Sequence, residues 1–247
     1  MDDETLDREI AASLGLPLKL LPFAGALHSK ADALGSSPGT IVSVLRPFAA
    51  ELKAGQVLDL GSGLGAVGIA LAHDLGVRVL GVDAYEPFVE EARLRAAKAG
   101  VADRVTFRRD DFRRMLPAEG RFDLVLWTAM GSLLGDLRET VGALRRVVRK
   151  GGFVAIEGEA PDANGMADMV AARAALTAHG DEVLREVAVP AWQTREADQA
   201  LRQGIRNRGE DLASHDPFAA ATLMSWLGTA EPPQRTGHEH VWLLRKK

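Results

Sequence analysis

The chain has 247 residues, is 47% apolar and 26% charged, and carries a net charge of −4, the proportions of a globular protein with a sizeable core. It holds no cysteine, which excludes disulfides, thiolate metal sites, iron–sulfur clusters and a cysteine nucleophile. The acidic balance argues against nucleic acid as a partner, no apolar run reaches the length of a membrane span, and Met1-Asp2-Asp3-Glu4 has no signal-peptide pattern, so a cytoplasmic protein with neither nucleic-acid nor membrane partners is expected, as a monomer or homodimer.

Residues 2–14 read as a short helix with acidic residues in its first turn, where they complement the helix dipole. The following stretch, 15–37, is broken by Gly15, Pro17, Pro22, Gly25 and Gly35 and should be loop with at most short helical turns. Ser37 then stands ready to cap a helix that has Pro38 at its first position and runs to about Lys53.

Val57–Leu60 is a short apolar strand containing Asp59, and Gly61, Gly63 and Gly65 follow at alternate positions before a helix near 65–75. A strand passing through a glycine turn into a helix lets backbone approach a ligand closely. The carboxylate of Asp59 repels a pyrophosphate and suits a ligand with a positive charge or an amine, as S-adenosylmethionine has. Gly63, Gly65 and Gly68 also spell G-x-G-x-x-G, with Asp83 near the spacing of a dinucleotide fingerprint. A third reading is a tight turn that binds nothing, its glycines serving helix–strand packing.

Strands and helices then alternate: strand Val77–Val82, helix 86–99, strand Arg104–Arg108, strand Phe122–Trp127, helix about 136–149 ended by Lys150-Gly151-Gly152, strand Phe153–Glu157, helix about 164–179, strand Glu182–Val189 and a last strand His240–Arg245. Such alternation implies right-handed βαβ units and a parallel sheet with helices on both faces. The segment 190–237, bounded by Pro190 and Pro232-Pro233, breaks the rhythm with two helical stretches, 194–208 and 216–228. It reads as a helical cap inserted between the last two strands. The chain thus divides into an N-terminal extension (1–37), a core (38–189 and 238–247) and a cap (190–237).

Open parallel sheets bind ligands beyond the carboxyl ends of their strands. After the second strand, Asp83 is placed to accept two hydrogen bonds from a ribose diol, and Ala84 and Phe88 could line an adenine face. After the third come Asp110, Asp111 and Phe112. One aspartate, Asp111 by preference, could accept from the adenine amino group while the Phe112 N–H meets a ring nitrogen. A turn capped by an aspartate is the alternative for both sites. After the fourth strand, Trp127 and Thr128 should face the donor's sulfur, with Trp127 as a wall or cation–π face or simply as core.

Asp59-x-Gly61-Ser62-Gly63-x-Gly65, then Asp83, Asp111, the strand Phe122-Asp123-Leu124-Val125 and the run Val148-Arg149-Lys150-Gly151-Gly152-Phe153, in this order and spacing, resemble a class I S-adenosylmethionine-dependent methyltransferase. The resemblance covers about 38–190 and the last strand. It implies a Rossmann-like α/β fold, seven strands with the last one antiparallel, and S-adenosyl-L-methionine as cofactor. It also implies that the glycine turn holds the methionine part, the position matched by Asp83 the ribose, and that matched by Asp111 the adenine. No Asn-Pro-Pro-Tyr motif, cysteine or metal-binding acidic trio is present, which leaves the small-molecule enzymes of the family, with no metal expected. The rival classes are a non-catalytic donor-binding subunit and a nicotinamide-dependent oxidoreductase.

For the acceptor side, the sequence offers His28 and His215 as bases, Glu157 and Glu159 as groups to orient an amine or hydroxyl, and Arg202, Arg206 and Arg208 as an attraction for acidic substrates or a solvated face. Trp192, His215, Phe218 and Trp226 of the cap are expected to wall an acceptor pocket. No side chain is expected to be an indispensable proton acceptor, because alignment of donor and acceptor supplies much of the rate.

Overall fold

The computed structural model describes residues 3–53, 55–117, 119–159, 166–229 and 239–247, without the side chains of 3, 166–168, 217–219 and 229. Helices α1 (Asp3–Ser13) and α2 (Ala24–His28) open the chain, with a 3-10 turn at Leu18–Phe23 between them. Then come α3 (Pro38–Leu45), a 3-10 turn at Arg46–Phe48 and α4 (Ala49–Leu52). One helix was expected over 38–53. It breaks at Pro47, which brings no N–H to a helix interior. Ser37 occupies the cap position of α3, but its side chain makes no capping bond; its own N–H donates instead to Glu157 Oε2 at 3.0 Å.

The core alternates as follows: β1 (Gln56–Leu60), α5 (Ala66–Leu75), β2 (Arg78–Asp83), α6 (Glu86–Lys98), β3 (Val105–Arg109), β4 (Phe122–Thr128), α7 (Leu137–Val147), β5 (Val148–Glu159), α8 (Met166–Thr177) and β6 (Glu182–Ala188). Then α9 (Ala191–His215), α10 (Pro217–Thr229) and β7 (Glu239–Arg245) complete the chain. The seven strands lie in the order β3-β2-β1-β4-β5-β7-β6, with β7 antiparallel to both neighbours and the β1–β5 pairs parallel. This is the expected Rossmann-like α/β sheet of seven mostly parallel strands.

Alternate residues of each strand feed two cores, as the period of two requires. Val57, Val79, Phe107, Leu124, Leu126 and Phe153 face α3, α5 and α6, while Leu58, Leu60, Val125, Trp127, Val154 and Trp242 face α7 and α8. The strand β5 starts five residues earlier than the expected Phe153. Lys150-Gly151-Gly152 does not end a helix; it forms a register shift inside the strand, with Val148 already paired to Phe122 and Gly151 at φ +76°. Helix α7 stops sooner, at Val147, and starts at a capping box between Asp136 and Glu139.

Helix α9 is one helix of 25 residues where a shorter one was expected at 194–208. With α10 it packs on the N-terminal segment: Leu223, Trp226, Ile205 and Leu212 share a cluster with Ala11, Leu20, Leu21, Ala24 and Leu27. The N-terminal segment therefore packs with α9 and α10 as one layer. Pro232, Pro233 and the rest of 230–238 lie outside the described residues. Among the described residues, no single helix is long and apolar enough to cross a membrane.

Candidate active site

The chain runs outward from β1 through β2 to β3, then returns to place β4 on the other side of β1. The loops that leave β1 and β4 must part there, and a crevice opens at their carboxyl ends. A cavity of about 380 Å³ occupies it. Its walls come from the ends of β1 (Gly61, Gly63), β2 (Asp83, Ala84), β3 (Asp110 to Arg113) and β4 (Thr128 to Leu133).

The glycine turn is held to β2 by its backbone. The Gly61 and Ser62 N–H groups donate to the Val82 carbonyl at 2.8 and 3.0 Å. Gly61 and Gly63 both have positive φ, +69° and +51°, a region that a Cβ penalises. Space excludes side chains there as well: one at Gly61 would strike Met130, and one at Gly63 would come within 3.2 Å of Leu34.

Asp83 Oδ2 accepts the Gly63 N–H at 2.8 Å, and Oδ1 accepts the Tyr85 N–H at 2.9 Å. The Ala84 N–H also pulls on this carboxyl, so of a carboxylate's about four acceptor positions about one stays open. Burial pushes the Asp83 carboxyl up, against the pull of these donated N–H groups. Phe88 lines the same cavity, with its ring edge-on to Tyr85 and His28.

Both Asp110 and Asp111 line the cavity, and both are engaged. Asp111 caps the short 3-10 turn that follows β3, accepting the Arg113 N–H at 3.0 Å, and it also meets the Arg113 guanidinium at 3.2 Å. Asp110 pairs with Arg108 and Arg114. The Phe112 side chain packs edge-on against Trp127.

Four expected residues do not line the cavity. Asp59 lies beneath the turn, 1% exposed. Neither of its oxygens reaches a well-formed hydrogen bond, and the Gly68 N–H only partly offsets burial and the Asp83 charge, which push the carboxyl up to about 7. Ser62 turns its Oγ inward, where it has no partner among the described residues. Gly65 caps α5 and lets it pack on Phe107, whose Cζ would lie 2.5 Å from an added Cβ. Trp127 belongs to the α7-side core, because β4 is buried on both faces. Its Nε1 donates to Gly131 at 3.3 Å and braces the loop after β4. In that loop Ala129 has a φ of +57°, a strained conformation for a residue with a Cβ.

A wall that the sequence did not reveal is α1. Leu6, Glu9, Ile10, Ser13 and Leu14 close the cavity from above, and Glu9 reaches across to Arg113. The signal was present as an i, i+4 spacing of Leu6, Ile10 and Leu14, overshadowed by the acidic residues around it. The cap aromatics fall elsewhere. Trp192 is exposed, and Trp226 packs on the N-terminal segment with Nε1 donating to Gly15. His215 is exposed at the end of α9, and the Phe218 side chain lies outside the described ones.

Sheet order and crevice define a Rossmann-like α/β protein with a ligand cavity at its switch point. The model of a methyltransferase domain matches residues 57–152, the stretch that supplies all four strand ends. A 27-O-demethylrifamycin SV methyltransferase of Amycolatopsis mediterranei is 32% identical over 183 residues, covering 73% of this chain and 63% of that protein. A demethylmenaquinone methyltransferase of Bacteroides fragilis is 27% identical over 116 residues, covering 47% of this chain and 46% of that protein. The chain spans from 30% to 63% of the length of the first curated relatives it matches. An S-adenosylmethionine-dependent methyltransferase from Thiobacillus denitrificans, solved with S-adenosyl-L-homocysteine, shares the fold with a TM-score of 0.69 at 22% identity, over 89% of this chain and 95% of that one. Residues 57–152 thus match a methyltransferase domain, and the chain shares its fold with S-adenosylmethionine-dependent methyltransferases.

Proposed function

We propose that the protein transfers a methyl group from S-adenosylmethionine to a small-molecule acceptor and releases S-adenosylhomocysteine, in the cytoplasm. The observation that carries this is Asp83. Its two oxygens are fixed by backbone N–H groups beside the glycine turn, and the carboxyl lines the cavity with acceptor capacity left for a ribose hydroxyl. In this reading Gly61 and Gly63 leave room for the methionine part, Phe88 and Ala84 flank the adenine, Asp110 or Asp111 meets its amino group, and Thr128 stands near the sulfur. Asp59 lies below the turn and does not line the cavity. The sulfonium already activates the methyl, so the protein's work is to hold donor and acceptor in line.

Calorimetry tests the donor. S-adenosylhomocysteine should bind, and NAD and NADP should not. Binding of a dinucleotide alone would favour the oxidoreductase class. Mass detection of methylated products from a metabolite panel then separates an enzyme from a donor-binding subunit.

A further inference from the structure

A second cavity, of about 270 Å³, adjoins the first. Ser13, Leu14, Leu34, Ala129 and Gly131 line both, so the two are immediate neighbours. The second cavity lies at the ends of β5 and β7, beneath α9 and beside His28. Leu201 and Ile205 of α9 give it apolar surface. It is the part of the molecule that opens directly beside the proposed donor site.

His28 is the last residue of α2 and is only 3% exposed. Its Nδ1 lies 2.8 Å from the Ala24 carbonyl oxygen. A carbonyl can only accept, so Nδ1 carries the proton. In the neutral ring Nε2 then bears the lone pair, and it has no partner among the described residues. Burial holds the imidazole below its usual value, which outweighs the hydrogen bond to Ala24 and keeps the ring neutral at pH 7. The ring sits edge-on to Phe88, whose centroid is 5.7 Å away and which lines the first cavity. A neutral imidazole of fixed tautomer thus borders the space next to the donor.

Resting on the donor reading above, we propose that the second cavity holds the methyl acceptor and that His28 Nε2 takes the proton from an acceptor hydroxyl as it is methylated. A neutral amine attacks through its lone pair and needs no base in the transition state. A hydroxyl does, because methylation without proton loss would leave a strongly acidic oxonium. The oxygen forms its bond to the methyl carbon, the carbon–sulfur bond breaks, and its electron pair passes to sulfur as a neutral thioether. The hydroxyl proton goes to Nε2, and the imidazolium returns it to water after product leaves. The charged groups that share the cavity with His28 are Glu157 and Glu159 of β5, Glu239 of β7, and Asp198 and Arg202 of α9, the last two 4.0 Å apart.

The test begins with S-adenosylhomocysteine binding to the wild-type protein; its absence removes the donor reading and this proposal with it. Where it binds, the protein is given S-adenosylmethionine with a deuterated methyl and, separately, phenol, 2-naphthol, 4-nitrophenol and benzylamine. Labelled aryl methyl ethers are expected. Methylation of benzylamine alone, or of no hydroxyl, overturns this proposal and leaves the donor reading standing. His28→Gln should lower phenol turnover roughly 10²- to 10⁴-fold with homocysteine-product affinity within about threefold. The limb of the pH–rate profile that rises with pH should vanish. Turnover of 4-nitrophenol, which ionises by itself near neutral pH, should fall far less, and added imidazole should restore phenol turnover in His28→Ala. A phenol rate unchanged in His28→Gln refutes the role. Nitrogen-15 spectra of histidine in the wild-type protein check the same point without a variant: Nε2 should be unprotonated at pH 7 and should shift when 2-naphthol joins the product-loaded protein, and a protonated Nε2 overturns the assignment.

Discussion

Asp83 shows how one side chain serves two purposes. Its bonds to the Gly63 and Tyr85 N–H groups fix the glycine turn, and its remaining acceptor capacity faces the cavity. An alanine there removes both turn bonds, whereas Asp83→Asn, whose amide has a single acceptor oxygen, keeps one of them and is the milder variant. It should weaken S-adenosylhomocysteine by about 1.5–3 kcal/mol, roughly 10- to 150-fold; calorimetry with unchanged affinity would remove the carboxylate from the site. Asp59 has a different consequence. Its folded pKa is raised from 3.8 to about 7 by burial and by Asp83, so the folded state binds that proton more tightly than the unfolded one. The stability this gives is fully present below about pH 4 and is lost as pH rises to about 7. Asp59→Asn never ionises. Its melting temperature should match the parent most closely in acid and exceed it above about pH 7, and parallel melting curves across that range would contradict the account.

At the scale of elements, the N-terminal helix matters most. Helix α1 spans the first cavity, and Glu9 reaches Arg113, which in turn holds Asp111. Both side chains of the Glu9–Arg113 pair are about one-third exposed, so the pair itself contributes no more than about 1 kcal/mol. Glu9→Gln should therefore leave the melting temperature nearly unchanged while raising the dissociation rate of S-adenosylhomocysteine by up to about fivefold in stopped-flow measurements. A large melting shift with no change in off-rate would make α1 a structural brace and not a cover. Helix α9 is tied down differently: its Thr194, itself 1% exposed, donates to Glu239 at the start of β7 at 3.1 Å. That bond fixes α9 over the second cavity, and no apolar periodicity in α9 foretold it.

For the whole molecule, the first cavity is bounded by four strand ends and closed by α1, so a ligand there links parts of the chain more than a hundred residues apart. Binding only to the folded state stabilises by mass action. S-adenosylhomocysteine at about 100 times its dissociation constant should add about 2.7 kcal/mol, which for a chain of this size raises the melting temperature by roughly 5–10 °C. NAD and NADP should leave it unmoved. A melting shift with the dinucleotides and none with the homocysteine product would reverse the donor assignment.

The sequence by itself determined the alternating core, because strands buried on both faces read as apolar runs and glycine turns punctuate them. It placed Gly61, Gly63, Asp83 and the Asp110–Asp111 pair at strand ends, because those positions are local consequences of where each strand stops. The family resemblance rests on the same local spacing. Only the tertiary structure decided which of those residues line a cavity. Asp59 and Trp127 sit within strands, and the pleat turns both into the protein. The acceptor side was least legible. Trp226 and His215 have the chemistry for a pocket wall, but their helical phase points one to the N-terminal segment and the other to solvent. The second cavity instead gathers His28, Glu157, Asp198 and Glu239, residues far apart in the chain whose meeting depends on how α2 and α9 settle over β5 and β7. Neither periodicity nor spacing encodes that packing.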